Sequence, residues 1–306
     1  MLLFQYDFKI EFYSNNRGFL SLRPKLVIET KKGTPLINIL ISNEYSALKS
    51  MQCKKAQLQF FNMPLNFNKS LKIGDVVNIF YRKFSYESNI GYKFIMAGYL
   101  GAPIDFDFEN GDFICEYDVC LITKYKFLNK KLTVNNFSGK SLEESIKSVF
   151  KDKAVIHINR EDRERIIDED FYVSTFKEFI ERLLGKYVHL IFVDTGDLTS
   201  KVDIRFVFIN FNALGNVESF YKNLQDYSLL FITQKELRDL RQPNFDFWSA
   251  TLLFTDKIKV GDRVKFINQY GEVVKAVVKE TSAHLTNMGK CILKLKLYNV
   301  DKVLYE

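Results

Sequence analysis

No CxxC pair occurs in this sequence, and its four cysteines (Cys53, Cys115, Cys120 and Cys291) are widely spaced. That spacing offers neither a zinc ribbon nor a thioredoxin-like motif. Cys115 and Cys291 stand in alternating apolar runs, where the plain reading is a buried free thiol. The three histidines, His157, His189 and His284, are scattered, and no two lie at i+3 or i+4. They make no helical metal pair. GxSxG, HExxH and GxxxxGKS/T are all missing, which removes three common routes to catalysis. No apolar run reaches about 18 residues, so no segment reads as a membrane-spanning helix. Residues 1–10, MLLFQYDFKI, lack the basic start and the small-residue cleavage site of a secretion signal, which points to synthesis in the cytoplasm. Five prolines and 14 glycines in 306 residues leave little room for low-complexity linkers.

Aromatic residues are abundant, with 29 Phe and 16 Tyr. Together with Val and Ile they favour strands. The net charge of +7 permits contact with nucleic acid without requiring it. Hydrophobic residues at 47% are enough for real cores in more than one domain.

The first part reads as a succession of strands, over 19–30, 35–42, 56–62, 71–81 and 92–100. In the last, over 113–121, Phe113, Cys115, Tyr117, Val119 and Leu121 alternate with polar residues. A period of two marks a strand with one buried face. The middle part changes period. Ser141-Leu142-Glu143-Glu144 is a capping box that opens a helix carrying Leu142, Ile146, Val149 and Phe150 on one face. A second helix begins near Ser174, shows Phe176, Phe179, Ile180, Leu183 and Leu184 at helical spacing, and meets a stop at Gly185. Strands follow over 187–193 and 203–209, joined by a turn at Asp194-Thr195-Gly196-Asp197. From about Tyr227 the pattern returns to strands, and Cys291, Leu293, Leu295 and Leu297 alternate with a face bearing Lys290, Lys294 and Lys296.

Two segments resemble each other. Leu71-Lys72-Ile73-Gly74-Asp75-Val76-Val77-Asn78-Ile79 aligns with Ile258-Lys259-Val260-Gly261-Asp262-Arg263-Val264-Lys265-Phe266. Glycine tolerates positive φ, and aspartate can accept from nearby backbone amides, so Gly74-Asp75 and Gly261-Asp262 read as turns that launch a strand in fixed register. Each is followed by a second strand, 94–100 and 273–279, with an alanine expected in matching position, and then by the long alternating strand. The fold class expected is therefore α+β, mostly β: two related β-barrel domains, 1–125 and 227–306, flanking a small α/β domain, 126–226. Trp248, Phe94, Leu252 and Leu253 are the expected core or junction residues.

These segments carry a resemblance to the baseplate hub, or tail hub, proteins of long-tailed phages and contractile injection systems. It rests on the Gly74-Asp75-Val76-Val77 turn, the strand Phe94-Ile95-Met96-Ala97-Gly98 and the strand Ile114-Cys115-Glu116-Tyr117-Asp118. It also rests on the helix starts at Phe137–Glu144 and Ser174–Ile180, the run Trp248-Ser249-Ala250-Thr251-Leu252-Leu253, and the second Gly-Asp turn. The resemblance implies a structural virion protein and no enzyme. It implies a homotrimer whose two barrels make a pseudo-sixfold ring, a symmetry adapter between the hexameric tail tube and a threefold spike. The partners implied are the tail tube protein, the spike or tip protein and other baseplate components. DNA would meet it only in transit, and no cofactor or metal is expected.

Two other classes of function fit parts of the sequence. An oligonucleotide-binding barrel would use Lys290, Lys294 and Lys296 along a phosphate backbone, with Tyr298 or Phe266 stacking on bases. A cell-wall hydrolase would need a carboxylate pair, for which Asp105, Asp107 and Glu109, Glu161-Asp162 and Asp168-Glu169-Asp170 are the available clusters. The alternation of the first set with Phe106 and Phe108 reads better as the wet face of a strand, and 160–165 as a mixed-charge surface run.

Overall fold

The computed structural model describes residues 5–16, 19–20, 23–31, 35–45, 51–64, 66–84, 91–109, 111–121, 130–134, 136–195, 204–210, 221–236 and 246–299. The first group of strands is β1 (Gln5–Tyr13), β2 (Asn15–Asn16), β3 (Phe19–Leu20), β4 (Leu26–Glu29), β5 (Ile37–Tyr45) and β6 (Met51–Phe61). After the short helix α1 (Phe67–Ser70) come β7 (Val76–Phe84), β8 (Lys93–Glu109) and β9 (Asp112–Cys120). The middle group is α2 (Leu142–Phe150), β10 (Ala154–His157), α3 (Arg160–Glu164), α4 (Phe176–Leu183), β11 (Leu190–Thr195) and β12 (Ile204–Ile209). The last is β13 (Lys222–Asn223), β14 (Leu229–Glu236), β15 (Asp246–Leu253), β16 (Arg263–Ile267), β17 (Val273–Thr286) and β18 (Ile292–Asn299).

The protein is α+β and mostly antiparallel β; β2 and β3 pair only with each other, and the other strands lie in one continuous sheet whose main path is β14-β15-β18-β17-β5-β6-β9-β8-β7-β1-β4. The two groups follow one plan. In the first, β5 and β6 form a hairpin, β7, β8 and β9 form a meander, and β6 pairs with β9. In the last, β14 and β15 form the hairpin, β16, β17 and β18 the meander, and β15 pairs with β18. The groups join edge to edge where β17 pairs antiparallel with β5, Ala283 opposite Ile41 and Thr286 opposite Asn38. Asn287 locks this seam. Its side-chain carbonyl accepts from the Ile37 N–H at 3.0 Å, and its amide donates to the Pro35 carbonyl at 2.7 Å. The middle group joins too, because β11 pairs parallel with the start of β6. The Lys54–Asp194 ion pair at 3.1 Å spans that junction.

Local chemistry accounts for the helices. The Glu144 N–H donates to Ser141 Oγ at 3.1 Å and the Ser141 N–H to Glu144 Oε2 at 3.0 Å, which satisfies two orphan donors of α2 at once. Thr175 caps α4 through the Glu178 N–H, and Gly185, at φ +88°, follows its end. The buried faces of both helices meet in an aromatic cluster, Phe137 being 4.7 Å from Phe179 and Phe150 4.5 Å from Phe206. In the first strand group Phe60 is the hub, with Phe12 at 6.4 Å, Phe67 of α1 at 5.1 Å and Tyr117 at 6.4 Å.

Several sequence expectations shift. Residues 19–30 break into β3 and β4. The strand expected over 71–81 starts at Val76, because 71–75 is the turn itself. The strand expected over 92–100 runs on to Glu109, with register shifts on either side of Pro103, the kind of site where a proline that cannot donate is tolerated. β1 was not anticipated at all. Its Tyr6, Phe8, Ile10 and Phe12 are buried, and it is the plain alternation of a half-buried strand. The Gly196-Asp197 part of the expected turn lies outside the described residues.

Candidate functional site

The two Gly-Asp segments form the same turn, bond for bond. Gly74 and Gly261 hold φ at +87° and +88°, a region that disfavours side chains. The Gly74 N–H donates to the Leu100 carbonyl at 2.8 Å, and the Leu100 N–H to the Asp75 carbonyl at 2.8 Å. Likewise, Gly261 donates to Val278 at 2.8 Å and Val278 to Asp262 at 2.9 Å. The carboxylate of each aspartate closes the turn on the amide three residues back, Lys72 N–H to Asp75 and Lys259 N–H to Asp262, both at 2.6 Å. Each carboxylate also takes a lysine from a distant strand start. Lys25 pairs with Asp75, and Lys222 with Asp262 at 2.6 Å. The lysines were not visible in the sequence comparison, since they lie far from their aspartates in the chain.

The turns fix the equivalence of the two groups residue by residue. The alanines of the sequence alignment are not equivalent: Val77 pairs with Gly98 and Val264 with Ala276, so Gly98, not Ala97, matches Ala276. A Cβ on Gly98 would lie 2.6 Å from Val119 Cγ1, which explains the residue the first group requires there.

The turns differ in surroundings. A Cβ on Gly74 would meet nothing within 4 Å, whereas one on Gly261 would lie 3.0 Å from Ile209 Cδ1. The residue before each glycine follows suit. Ile73 is 72% exposed, and Val260 is 4% exposed, packed with Leu190, Phe192, Val207 and Ile209 of the middle group. The second turn is thus a joint between groups, and the first is bare.

The sheet's second feature is a continuous polar face. Because side chains alternate along each strand, the register sets Asn38, Gln59 and Glu116 in one row and Leu40, Gln57 and Asp118 in the next. Across the seam the face continues with His284 and Ser282, then Lys294 and Lys296, then Thr251 and Ser249. Several of its polar groups bond to one another. Asn38 donates to Gln59 at 3.3 Å, Gln59 to Glu116 at 2.9 Å, and Gln57 also donates to Glu116. Lys55 pairs with Asp118 at 3.7 Å and Lys296 with Glu280 at 3.4 Å. Lysines and carboxylates are interspersed, so no single sign dominates. At the bulge of β17, Lys279 lies over the Tyr298 ring at 4.5 Å. Burial pushes its ammonium below the ordinary lysine range, and the neighbouring Lys296 adds to that.

The other residues singled out from the sequence fall in different places. Trp248 is buried and meets Phe266 edge-on at 5.3 Å. Leu252 is fully buried, and Leu253 is half-buried on the opposite face. Phe94 is half-buried against Phe80 at 5.7 Å. Lys294 is exposed on the polar face, and Lys290 is exposed in the turn before β18. The three lysines therefore do not form one track. Phe266 is buried, so it offers no face to a base, and Tyr298 is packed on Phe247 at 4.4 Å. Asp168, Glu169 and Asp170 lie beside α4, with Glu169 accepting from Tyr187 at 2.9 Å and pairing with Lys186. The side chains of Asp105, Asp107 and Glu109 lie outside the described residues. Among the described residues no group of three or more His, Cys, Asp and Glu side chains is placed to hold a metal, and no helix is long and apolar enough to cross a membrane.

Residues 1–302 match the family described as Protein of unknown function (DUF693), and the chain belongs to that family. No curated protein matches the sequence. Solved structures do share the fold. A 43 kDa tail protein of prophage MuSo2 from Shewanella oneidensis aligns with a TM-score of 0.57 at 11% identity, over 96% of this chain and 97% of that one. A tail protein from Neisseria meningitidis MC58 aligns at 0.52 and 10% identity, over 96% of each chain. The E. coli c3393 protein, described as a component of the type VI secretion system with structural similarity to T4 bacteriophage tail proteins gp27 and gp5, aligns at 0.50 and 9% identity, over 86% of this chain and 73% of that one. The fold is that of phage tail proteins and of a secretion-system component built like them.

Proposed function

We propose that this chain is a structural baseplate hub, the subunit of a ring at the tip of a phage tail or a related injection device. One observation carries the reading: the strand plan and the Gly-Asp turn occur twice in one chain with the same hydrogen bonds. Three copies of a chain with two like repeats present six like surfaces about a threefold axis. Such a ring meets a hexameric tail tube on one side and a threefold spike on the other. In this reading the repeats are 1–125 and 227–306, the α/β part is 126–226, and the other partners are the tube protein, the spike and the surrounding baseplate components. The protein works in the virion after synthesis in the host cytoplasm.

The mixed polar face suits a channel wall. Lys55 pairs with Asp118 and Lys296 with Glu280, and Glu116 adds a further acid to the face, so a polyanion slides past without a continuous basic track to hold it. The same balance argues against an oligonucleotide-binding module. The hub reading also assigns no catalysis to the chain: Asp75 and Asp262 close turns, Glu144 caps α2, and Asp118 and Glu280 pair with lysines.

Light scattering on the purified chain, with negative-stain images, tests this reading. A trimer with a central hole and near-sixfold outline is the expected result. A chain that stays monomeric at every concentration, and alongside its tube and spike proteins, would overturn it.

A further inference from the structure

The intramolecular seam between the two repeats joins one edge of each. In the second repeat the far half of β17 pairs with β18 on one side and with β5, the first strand of the other repeat, on the other. The first repeat has the same long strand, β8, paired with β9 along its far half. Among the described residues nothing pairs with the opposite edge of that half. The second repeat has the counterpart of β5, namely β14, which among the described residues pairs with β15 alone. The chain therefore carries one used junction and the two halves of an unused one.

We infer that the edge of β14 in one subunit pairs antiparallel with the far half of β8 in the next. This rests on the ring reading above, with a second copy of this chain as the partner. The register follows from the repeat. Ala283 is opposite Leu293 and Phe106 opposite Cys115, and Leu293 and Cys115 are equivalent through the turns. Ile41 is opposite Ala56 and Gln234 opposite Trp248, and Ala56 and Trp248 are equivalent by the pairing of β6 with β9 and of β15 with β18. The Ala283–Ile41 pairing thus becomes Phe106 opposite Gln234. His284–Leu40 becomes Asp107 opposite Thr233, and Leu285–Ile39 becomes Phe108 opposite Ile232.

Three features of the edges agree with this. Leu230 and Phe231 on β14 are 48% and 56% exposed, and Ile104 on β8 is 49% exposed. Apolar residues on an unpaired edge make it a template for another strand. The register sets Lys235 opposite Asp105, a base against an acid. The sequence also places Asn110 directly after Glu109, as Asn287, which locks the existing seam, follows Thr286. With both junctions made, the eight strands from β14 to β8 have both ends of their path paired, and a head-to-tail contact closes that path at three subunits.

A disulfide reads the register directly, since Cα atoms more than about 7 Å apart are not bridged. The full chain carrying D107C and T233C is oxidised and run on a non-reducing denaturing gel, beside each single variant to control for the native cysteines. D105C with K235C is a second in-register pair, and D107C with K235C is offset by two residues. The expected result is covalent dimer and trimer from the in-register pairs, formed on the order of tenfold faster than from the offset pair. Light scattering on the same samples separates the failures. Trimers in which neither in-register pair links, or in which the offset pair links as fast, overturn the strand pairing and leave the hub reading standing. Samples that never form trimers remove the ring, and the pairing with it.

Discussion

The two repeats share a backbone plan and differ in what fills and covers them. The first is centred on phenylalanine, with Phe60 touching Phe12, Phe67 and Tyr117, and it is extended by β1 and β4. The second has Leu252 at the position of Phe60 and moves its large aromatic along the same strand, to Trp248, where the first repeat has Ala56. Among the described residues only β13 extends it, through a short parallel pairing with β16. Its turn is buried against the middle group, while the first repeat's turn faces open space. A repeated backbone with unlike cores is what a subunit needs when its two halves occupy like places in a ring but meet different neighbours along the chain.

Substitutions at matched positions break the comparison in order of size. Phe60→Ala removes the ring on which three aromatics converge and is expected to cost about 3–5 kcal/mol. Leu252→Ala at the matched site falls toward the lower end of about 2–5 kcal/mol, since less volume is lost. Urea unfolding of both variants measures the difference, and equal losses would mean that the two cores are closer in packing than their residues suggest.

The residues before the turn glycines give a sharper contrast. Val260→Ala is expected to cost about 1.5–2 kcal/mol, because the side chain is buried in the joint with the middle group. Ile73→Ala is expected to stay within about 0.5 kcal/mol in the isolated chain, as exposed sites do. If Ile73→Ala lowers the amount of trimer while leaving unfolding unchanged, the bare turn is a subunit or partner contact.

The smallest contrast lies at the glycines themselves. Gly74→Ala meets no atoms and is expected to cost about 1 kcal/mol for its positive φ alone. Gly261→Ala adds the contact with Ile209 and is expected to cost roughly 1 kcal/mol more, within the usual range for overpacking. Thermal or denaturant midpoints resolve a difference of that size, and equal losses would show that Ile209 yields without cost.

Much of the fold could be read from periodicity. The capping box at Ser141, the helix beginning after Ser174 and the alternation in β9 and β18 are local patterns, and local chemistry decides them. The Gly-Asp turns were legible for the same reason. β1 alternates cleanly, with Tyr6, Phe8, Ile10 and Phe12 buried, yet it was not among the strands expected. The extension of β8 past Gly101 was missed because a proline reads locally as a stop, whereas two register shifts let the strand continue. The candidate site was less legible. Lys290, Lys294 and Lys296 look like one basic face in sequence, and only the cross-strand pairing sets Lys296 on Glu280 and leaves Lys290 in a turn.

By itself the sequence determined the strand-rich class, the order of the three parts, the helix starts and the two turns. Each depends on residues within a few positions of one another, where glycine's freedom of φ, an aspartate's reach to nearby amides and a period of two act directly. The tertiary structure alone decided that β17 pairs with β5, that Asn287 locks that seam, that Lys25 and Lys222 close the turns, and that, among the described residues, β14 and the far half of β8 each keep one unpaired edge. Those contacts join residues up to 252 positions apart, and which edges meet is settled by burial and backbone pairing over the whole chain, not by any local pattern.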